Sequence, residues 1–416
     1  MRYWVRYLKD INDYGGRMNV MIKIRKFRKT FFLILIISLT VVLSSSSNKH
    51  KTQATLDTKN ELLVLEHGNL IDGTGAVTKS NITIFIEGDK IKQIGSDKET
   101  NIPSGAKVID LEGTTVLPGF INAHVHKAYD EENLQNWAKS GVTTVRDLNP
   151  RGIDNFTKKR DELNTDTNNA SIVSGSNILK VQGGYGYGNA IVSSPQNAED
   201  LVFDYINKGT DIIKFSIEDN LPPGYKWKLL SNEEIKSIVK AAHSKNKKVS
   251  VHLSQTKYLG IAIDAGVDDL AHMVVDPLNE DTIKKIIDKN IYWVPTLELW
   301  NGVGWGSIAI DNLAKFYNAG GKIALGTDFA GYSMNFDTGF PITEVKLMKQ
   351  AGMSNMDIII AATKNAAFVC DIDKKVGTLE VGKTADILVV DGDPLKDITT
   401  LSKTKMVIHN GKIVKN

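Results

Sequence analysis

The sequence predicts an α/β protein, a (β/α)8 TIM-like barrel with a small β-sandwich domain formed by both chain ends. Three observations predict this fold. From about Leu117 to Cys370, short apolar runs alternate with helical patterns. Strand-rich segments lie on both sides of that region, and metal-ligand residue types follow several of the apolar runs. Strand–helix alternation is typical of a parallel sheet covered by helices, and a closed barrel gathers the carboxyl ends of its strands at one mouth.

Composition is typical of a folded chain and excludes several classes of protein. With 416 residues, of which 42% are hydrophobic, the chain can bury a large core, which excludes global disorder. The one cysteine, Cys370, excludes an internal disulfide and a cysteine-rich metal site, and its apolar neighbours favour a buried small hydrophobe over a catalytic thiol. Residues 1–47 hold nine Lys/Arg and two Asp, a net charge of +7, so the total of +3 leaves −4 for the rest. Nothing in this distribution indicates a nucleic-acid partner.

The first 47 residues are predicted to be a signal peptide or an N-terminal anchor. Lys23–Lys29 is strongly basic, Phe31–Leu43 is apolar, and four serines follow. A cationic start, an apolar run and small residues after it are typical of a secretory signal. The run is short for a membrane span, so membrane anchoring through residues 30–46 is the alternative. We therefore expect an exported protein that is secreted, periplasmic or at the cell surface, with a polar linker over residues 48–60.

The two flanking regions, residues 61–117 and 371–416, are predicted to form one β domain. In the first, a turn at residues 67–69 is expected before the alternating strand Asn81–Ile86. In the second, Ala385–Val390 is strand-like, and Asn410-Gly411 is a strong hairpin signal.

The predicted barrel covers residues 118–370. A helical spacing of apolar residues stands out over Asn232–Lys245. The predicted strands in this region include Val142–Val145, Ile212–Phe215, Val249–His252, Asp269–His272, Tyr292–Pro295 and Lys322–Gly326.

Four histidines and one aspartate lie at the ends of such strands. His124 and His126 are two residues apart, so in a strand they face the same side and can share one cation. Two histidines that only cap a strand are the alternative. His252, His272 and Asp328 end other predicted strands, and a barrel would bring all five side chains to one mouth. For Asp328 the alternative is a helix N-cap.

Together these residues resemble the amidohydrolase superfamily, in particular its branch of imidazolonepropionase-like enzymes and metal-dependent Xaa-Pro dipeptidases (prolidases). The resemblance covers about Leu62 to Val414. Its motifs are Leu70–Gly75, Leu117–His126, Gly141–Leu148, Ala265–His272, Leu325–Asp328 and Val376–Lys383.

The resemblance implies a ligand set for one or two divalent metal ions, with zinc expected. His124 and His126 would bind a first metal together with Asp328, and His252 and His272 would bind a second. Lys214 stands where the family has a carboxylated lysine. An ordinary ammonium, with a pKa of about 10.4, would repel a cation, whereas a CO2-derived carbamate can bridge two metals. A plain salt-bridging Lys214 is the alternative and would favour one metal.

The implied function is hydrolysis of a C–N (amide) bond in a small-molecule substrate by a metal-bound hydroxide. A dipeptide, an N-acyl amino acid or a related amide is expected. A bound metal lowers the pKa of water to about 7, and Asp328 would accept the proton and pass it to the leaving nitrogen. The alternatives are a cyclic amide hydrolase of the imidazolonepropionase kind, which export disfavours, and an inactive metal-binding surface protein. We also expect a homo-oligomer.

Two further residues are predicted to contact the substrate. Relatives often carry Gly-Gly-His-Gly where this chain has Gly183-Gly184-Tyr185-Gly186. Tyr185 can donate a hydrogen bond to an oxyanion but is not a usual metal ligand. Arg146 is either a reader of a substrate carboxylate or, as we prefer, the partner of Asp147 in an internal ion pair.

Overall fold

The structure is a computed structural model that describes residues 62–97 and 100–416. The predicted signal peptide or anchor and the predicted linker lie outside these residues. Within them, no helix combines the length and the apolarity that crossing a membrane requires.

Strands and helices alternate through most of the described chain. The strands are β1 (Leu62–Leu70), β2 (Lys79–Glu87), β3 (Lys90–Ser96), β4 (Lys107–Asp110), β5 (Thr114–Pro118), β6 (Phe120–Val125), β7 (Val142–Asp147), β8 (Ser171–Ser174), β9 (Lys180–Val181), β10 (Ile191–Val192), β11 (Ile213–Ser216), β12 (Val249–His252), β13 (Asp269–Ala271), β14 (Tyr292–Val294), β15 (Ile387–Asp391), β16 (Thr404–His409) and β17 (Lys412–Lys415). The α-helices are α1 (Glu131–Ser140), α2 (Phe156–Leu163), α3 (Pro195–Asn207), α4 (Asn232–Ser244), α5 (Leu259–Ala265), α6 (Glu280–Asp288), α7 (Leu297–Gly302), α8 (Gly306–Asn318), α9 (Ile342–Gln350), α10 (Asn355–Ile360) and α11 (Ala366–Val369).

Strands from both ends of the described chain form one eight-stranded sheet. Its order is β17-β16-β15-β5-β1-β2-β3, with β4 also paired to β1. The two ends meet where β5 and β15 pair antiparallel, with Val116 opposite Val389. Because hydrogen bonds connect all eight strands, this region is one continuous sheet, and its sandwich geometry stays a prediction.

Two turn predictions in this sheet have different outcomes. The Asn410-Gly411 hairpin is confirmed, since both residues have positive φ (48° and 74°), as a tight hairpin turn requires. The turn at residues 67–69 is wrong because β1 continues through it. His67 has a φ of 64°, and the pairing with β2 shifts register between Leu65 and Gly68, so the turn residues form a bulge in a strand.

The central region is built from parallel strands. One sheet has the order β6-β7-β8 and another the order β11-β12-β13-β14. An isolated parallel bridge joins Gly175 to Ile212 between these sheets. Further bridges join the segment 323–329 to its neighbours, Ile323 to Trp293 and Phe329 to Val125. The predicted strand Lys322–Gly326 is therefore an irregular segment with isolated bridges, not a regular strand, while the predicted mixed α/β class is confirmed.

The helices form where the sequence supplies caps and an apolar face. α4 begins with a capping box in which Ser231 and Glu234 exchange side-chain to backbone hydrogen bonds. Its buried face includes Ile235, Ile238 and Val239, as the helical spacing predicts. Such helices cover the parallel strands and leave their carboxyl ends to carry polar side chains.

Candidate metal centre

Of the five side chains predicted to bind metal at strand ends, the four histidines lie at or just after the carboxyl ends of parallel strands. His126 follows β6, which holds His124, and His252 ends β12. His272 follows β13, and Asp328 lies in the bridged segment 323–329. All five are at most 6% exposed.

Asp328 is close to both histidines of the first pair. Its Oδ1 lies 3.2 Å from Nε2 of His124 and 3.0 Å from Nε2 of His126. Ligand atoms of His124, His272 and Asp328 all lie within 4.8 Å of one another. The rings of His252 and His272 have centroids 4.7 Å apart, so the second pair joins the same cluster.

The donor set fits a divalent cation. Four buried atoms of the cluster have no hydrogen-bond partner: Nδ1 of His124, Nδ1 of His126, Nε2 of His252 and Oδ1 of Asp328. Buried polar atoms of folded proteins are normally hydrogen-bonded, so a concentration of unpaired ones needs a physical reason. Imidazole nitrogens with a carboxylate oxygen are the donors that bind Zn²⁺ and similar ions, so this donor set suits such an ion.

Burial favours the neutral imidazoles that metal binding requires. It lowers the pKa of His124, His252 and His272 well below the usual value, and the nearby Lys214 ammonium lowers each further. His126 differs. Burial and the Arg151 charge lower its pKa, but the nearby carboxylates of Asp147 and Asp328 raise it more, so the net shift is upward.

Two of the cluster residues have an uncommon backbone conformation. His272 and Asp328 have φ values of 74° and 59°, in the left-handed region that favours glycine. Each such residue costs on the order of 1–3 kcal/mol, and such residues are concentrated at functional sites. A glycine, Gly326, lets the segment before Asp328 approach His124, since a Cβ there would lie 2.9 Å from the backbone N of His124.

A second layer of side chains orients His272. Thr296 Oγ1 lies 2.9 Å from its Nδ1, which leaves Nε2 as the ligand atom. The indole N–H of Trp293 donates to the His272 carbonyl oxygen at 2.6 Å. The first contact orients the ring, and the second holds the backbone at the end of β13.

Lys214 lies on β11 and is buried, with Nζ 3.5 Å from Ser250 Oγ. Burial is the main cause that lowers the pKa of its ammonium to about 7, and Arg146 lowers it while Asp269 and Asp328 raise it. A large share of this amine is therefore neutral near neutral pH. In the parallel pairing of β11 with β12, Lys214 lies opposite Ser250, two residues before His252.

Tyr185 stacks directly on a cluster histidine. Its ring lies 4.2 Å from the His252 ring, centroid to centroid, with an angle of 15° between the planes. Its hydroxyl lies 2.7 Å from that of Tyr332. Burial and Tyr332 raise the pKa of the Tyr185 phenol, so the group is a neutral hydrogen-bonding partner at neutral pH.

The predicted Arg146–Asp147 ion pair is wrong, and Arg146 is not placed to read a substrate carboxylate. Successive residues of a strand point to opposite faces, so the two side chains of β7 diverge. Arg146 instead binds Asp269 in a bidentate pair, with N–O distances of 2.8 and 3.1 Å, and donates to the Ala123 carbonyl at 2.6 Å. With 0% exposure, its guanidinium is a structural group beneath the cluster.

Two acidic residues lie near cluster histidines, and the sequence analysis predicted neither contact. Asp147 Oδ1 lies 3.8 Å from Nδ1 of His126, and Glu218 Oε2 lies 3.8 Å from Nε2 of His252. Burial raises the pKa of Glu218. A signal for Glu218 exists in the sequence, because it follows Lys214 by four residues, and an even spacing places two side chains on the same face of an extended segment.

Two other histidines, His243 and His409, and the cysteine Cys370 are separate from the cluster. His243 is exposed on α4 and pairs with Asp268 at 2.8 Å. His409 is buried in the β domain, 3.0 Å from Asp386. Cys370 is buried, which raises the pKa of its thiol to about 12, as expected for an inert residue.

Comparison with known proteins identifies the family of this chain. The sequence model of the Amidohydrolase family matches residues 115–414. An imidazolonepropionase of Geobacillus sp. (strain WCH70) is 21% identical over 85% of this chain and 92% of its own length. An ochratoxinase of Aspergillus niger is 26% identical over 85% of this chain and 87% of its own.

A solved structure agrees with these sequence matches. A Xaa-Pro dipeptidase with methionine bound in its active site superposes with a TM-score of 0.75 and is 26% identical. The match covers 86% of this chain and all of the dipeptidase chain. Such neighbours have a TIM-like barrel with a second domain, which agrees with the two regions described above. The chain belongs to the amidohydrolase family, in its imidazolonepropionase- and prolidase-like branch, and is a hydrolase of amide C–N bonds.

Proposed function

We propose that this enzyme hydrolyses the amide bond of a small molecule that carries a carboxylate: a dipeptide, an N-acyl amino acid or a related amide. The buried cluster of His124, His272 and Asp328 carries this proposal, because its unpaired donor atoms fit a divalent ion. Relatives named Xaa-Pro dipeptidase and ochratoxinase support the substrate class. Relatives named imidazolonepropionase make a cyclic amide the second candidate.

We propose that His124, His126 and Asp328 hold a first divalent ion, expected to be zinc, and that His252 and His272 hold a second. A bound ion of this kind acidifies water and polarises a carbonyl oxygen. Asp328 accepts the proton that the attacking water loses and returns it to the leaving nitrogen, a role that its buried carboxylate near both paired histidines supports.

Lys214 is proposed to be carboxylated. Its neutral amine nitrogen would form a bond to the carbon of CO2 and lose a proton, giving a carbamate anion. The pKa of about 7 supports this, because the neutral amine is the reactive form. The carbamate would then join the ligand set of both ions.

Arg151 is proposed to read the substrate carboxylate in place of Arg146. It lies in the loop after β7, its guanidinium is 4.3 Å above the Tyr187 ring, and the residue is exposed. Its charge also acts on His126. An exposed guanidinium near the cluster can form a bidentate pair with a carboxylate, which the core-bound Arg146 cannot.

Three further features remain proposals. We propose that the parallel strands close into an eight-stranded barrel through the isolated bridges of the segment 323–329. We also propose that the chain is exported, with membrane anchoring as the alternative. A homo-oligomeric state is proposed as well.

Metal-reconstituted enzyme with bicarbonate present should be screened against dipeptides, N-acyl amino acids and cyclic amides. We expect chelator-sensitive hydrolysis of a linear amide with a free carboxylate.

Arg151→Ala should raise KM for that substrate roughly tenfold or more but leave KM for its carboxamide analogue unchanged. The matched control is Lys158→Ala, an exposed cation on α2. Exclusive hydrolysis of cyclic amides would favour the second candidate, and no chelator-sensitive hydrolysis at all would refute the proposal.

A further inference from the structure

Aromatic side chains lead outward from the second histidine pair. From His252, the rings of Tyr185, Trp227 and Tyr225 follow one another with centroid distances of 4.2, 5.9 and 4.9 Å. Tyr185 is buried, whereas Trp227 and Tyr225 are partly exposed. This series therefore connects a proposed metal ligand to solvent.

A second series begins at the neighbouring histidine. The Trp300 ring lies 6.0 Å from His272, and Trp305 lies 5.6 Å from Trp300. Trp300 is buried and Trp305 is partly exposed. The indole N–H of Trp300 is buried without a hydrogen-bond partner. A buried donor that no protein group satisfies is expected to have another partner, and a bound molecule can supply one.

The rings of the first series are held in place by their loops. The backbone of Gly184 bridges to Lys228, which ties the glycine-rich loop to the loop after β11. The indole N–H of Trp227 donates to the Leu221 carbonyl at 2.7 Å, and Ser216 Oγ donates to the Tyr185 carbonyl at 2.8 Å. These contacts tether the Tyr185 backbone and the Trp227 ring, which suits selective binding because a tethered ring loses less side-chain entropy when a ligand binds.

We infer that the enzyme selects amides carrying an aromatic ring, which packs against the aromatic rim formed by Tyr185, Trp227, Tyr225, Trp300 and Trp305. Two features argue for this occupant. The rim is continuous with the proposed metal centre, and its outer rings, Trp227, Tyr225 and Trp305, are partly exposed. Aromatic rings pack against one another edge-to-face or offset, so a substrate ring suits this rim. This inference rests on the proposed amide hydrolysis and narrows its substrate class.

Two matched substrate pairs test the inference, because the ring can lie on either side of the scissile bond. One pair is N-acetyl-L-phenylalanine and N-acetyl-L-alanine, and the other is N-benzoylglycine and N-acetylglycine. We expect kcat/KM to favour the aromatic member of at least one pair by roughly tenfold or more.

The variants Trp227→Ala and Tyr225→Ala should each reduce this ratio of kcat/KM values, and Trp227→Phe should retain most of it. Leu229→Ala is the control, since Leu229 is an exposed apolar residue of the same loop, and its ratio should equal that of the wild type.

Binding gives a second measurement. Quenching of tryptophan fluorescence by N-acetyl-L-phenylalanine in chelator-treated enzyme should be stronger than by N-acetyl-L-alanine. A ratio near one in both pairs, or an aromatic preference that survives both alanine variants, would overturn the inference and leave amide hydrolysis standing. Chelator-sensitive hydrolysis of aliphatic amides alone would overturn it in the same way. Hydrolysis of no amide would refute the proposed function and this inference with it.

Discussion

Asp328 Oδ1 lies 3.0 Å from Nε2 of His126, with both side chains buried. The two residues come from opposite ends of the parallel-strand region. The Val125–Phe329 bridge beside them fixes this contact. A carboxylate at this distance can serve as a ligand and as a proton carrier.

Replacement of Asp328 separates these two roles. Asp328→Asn keeps an oxygen donor but has no proton-accepting carboxylate. We expect it to retain much of the metal while kcat falls by about 10²- to 10⁴-fold. Metal content by mass spectrometry and kcat on the best amide substrate check this. Unchanged turnover would show that another group moves the proton.

His252→Ala should lose bound metal. The variant removes an imidazole whose Nε2 is buried and unpaired, and a metal site depends on its full ligand set. The matched control is His243→Ala, an exposed histidine paired with Asp268. Metal per protein after dialysis measures the effect. Equal metal content in the two variants would exclude His252 from the ligand set.

Arg146→Ala should destabilise the fold. The change leaves the Asp269 carboxylate buried without its cation, and removal of one partner from a buried ion pair costs about 3–5 kcal/mol. Lys284→Ala, which breaks an exposed pair with Asp288, should cost no more than about 1 kcal/mol. Urea unfolding compares the two. Similar midpoints would mean that the buried pair is not important for stability.

A buried carboxyl on α9 should make stability depend on pH. Burial raises the pKa of Glu344 to about 8, against the opposing effect of hydrogen bonds from the backbone N–H groups of Glu298 and Leu297. Between the ordinary carboxyl pKa and 8, the folded state therefore holds a proton that the unfolded state has released. Stability must fall as pH rises through this range, with a slope of at most about 1.4 kcal/mol per pH unit for this group.

Glu344→Gln removes this titration. We expect the difference in unfolding free energy, variant minus wild type, to increase from pH 5 to pH 8, as measured by denaturant unfolding at each pH. A constant difference would show that Glu344 has an ordinary pKa in the folded protein.

The strand-end histidines could be predicted because their signal is local. His124 and His126 share a strand face through their spacing, and His252 and His272 each end an apolar run that needs no knowledge of its neighbours. Lys214 was located through family resemblance. The α/β class of the fold could be predicted because these apolar runs alternate with helical patterns along the chain.

Long-range partners could not be predicted from the same signals. The contact between Arg146 and Asp269 depends on how β7 and β13 are placed in space, which no local pattern encodes. Trp300 gives no sequence signal either, since its closeness to His272 depends on the left-handed turn at Thr296 before α7. Lys322–Gly326 was predicted as a strand because it is apolar, yet the segment 323–329 pairs with its neighbours only at isolated bridges.

Anomalous diffraction from crystals of metal-reconstituted enzyme, recorded at the zinc absorption edge, tests the central claim most directly. The account predicts a peak within about 2.0–2.2 Å of donor atoms of His124, His126 and Asp328. A second peak beside His252 and His272 would accompany carboxylation of Lys214. Crystals that contain zinc but show no peak at these side chains would contradict the account.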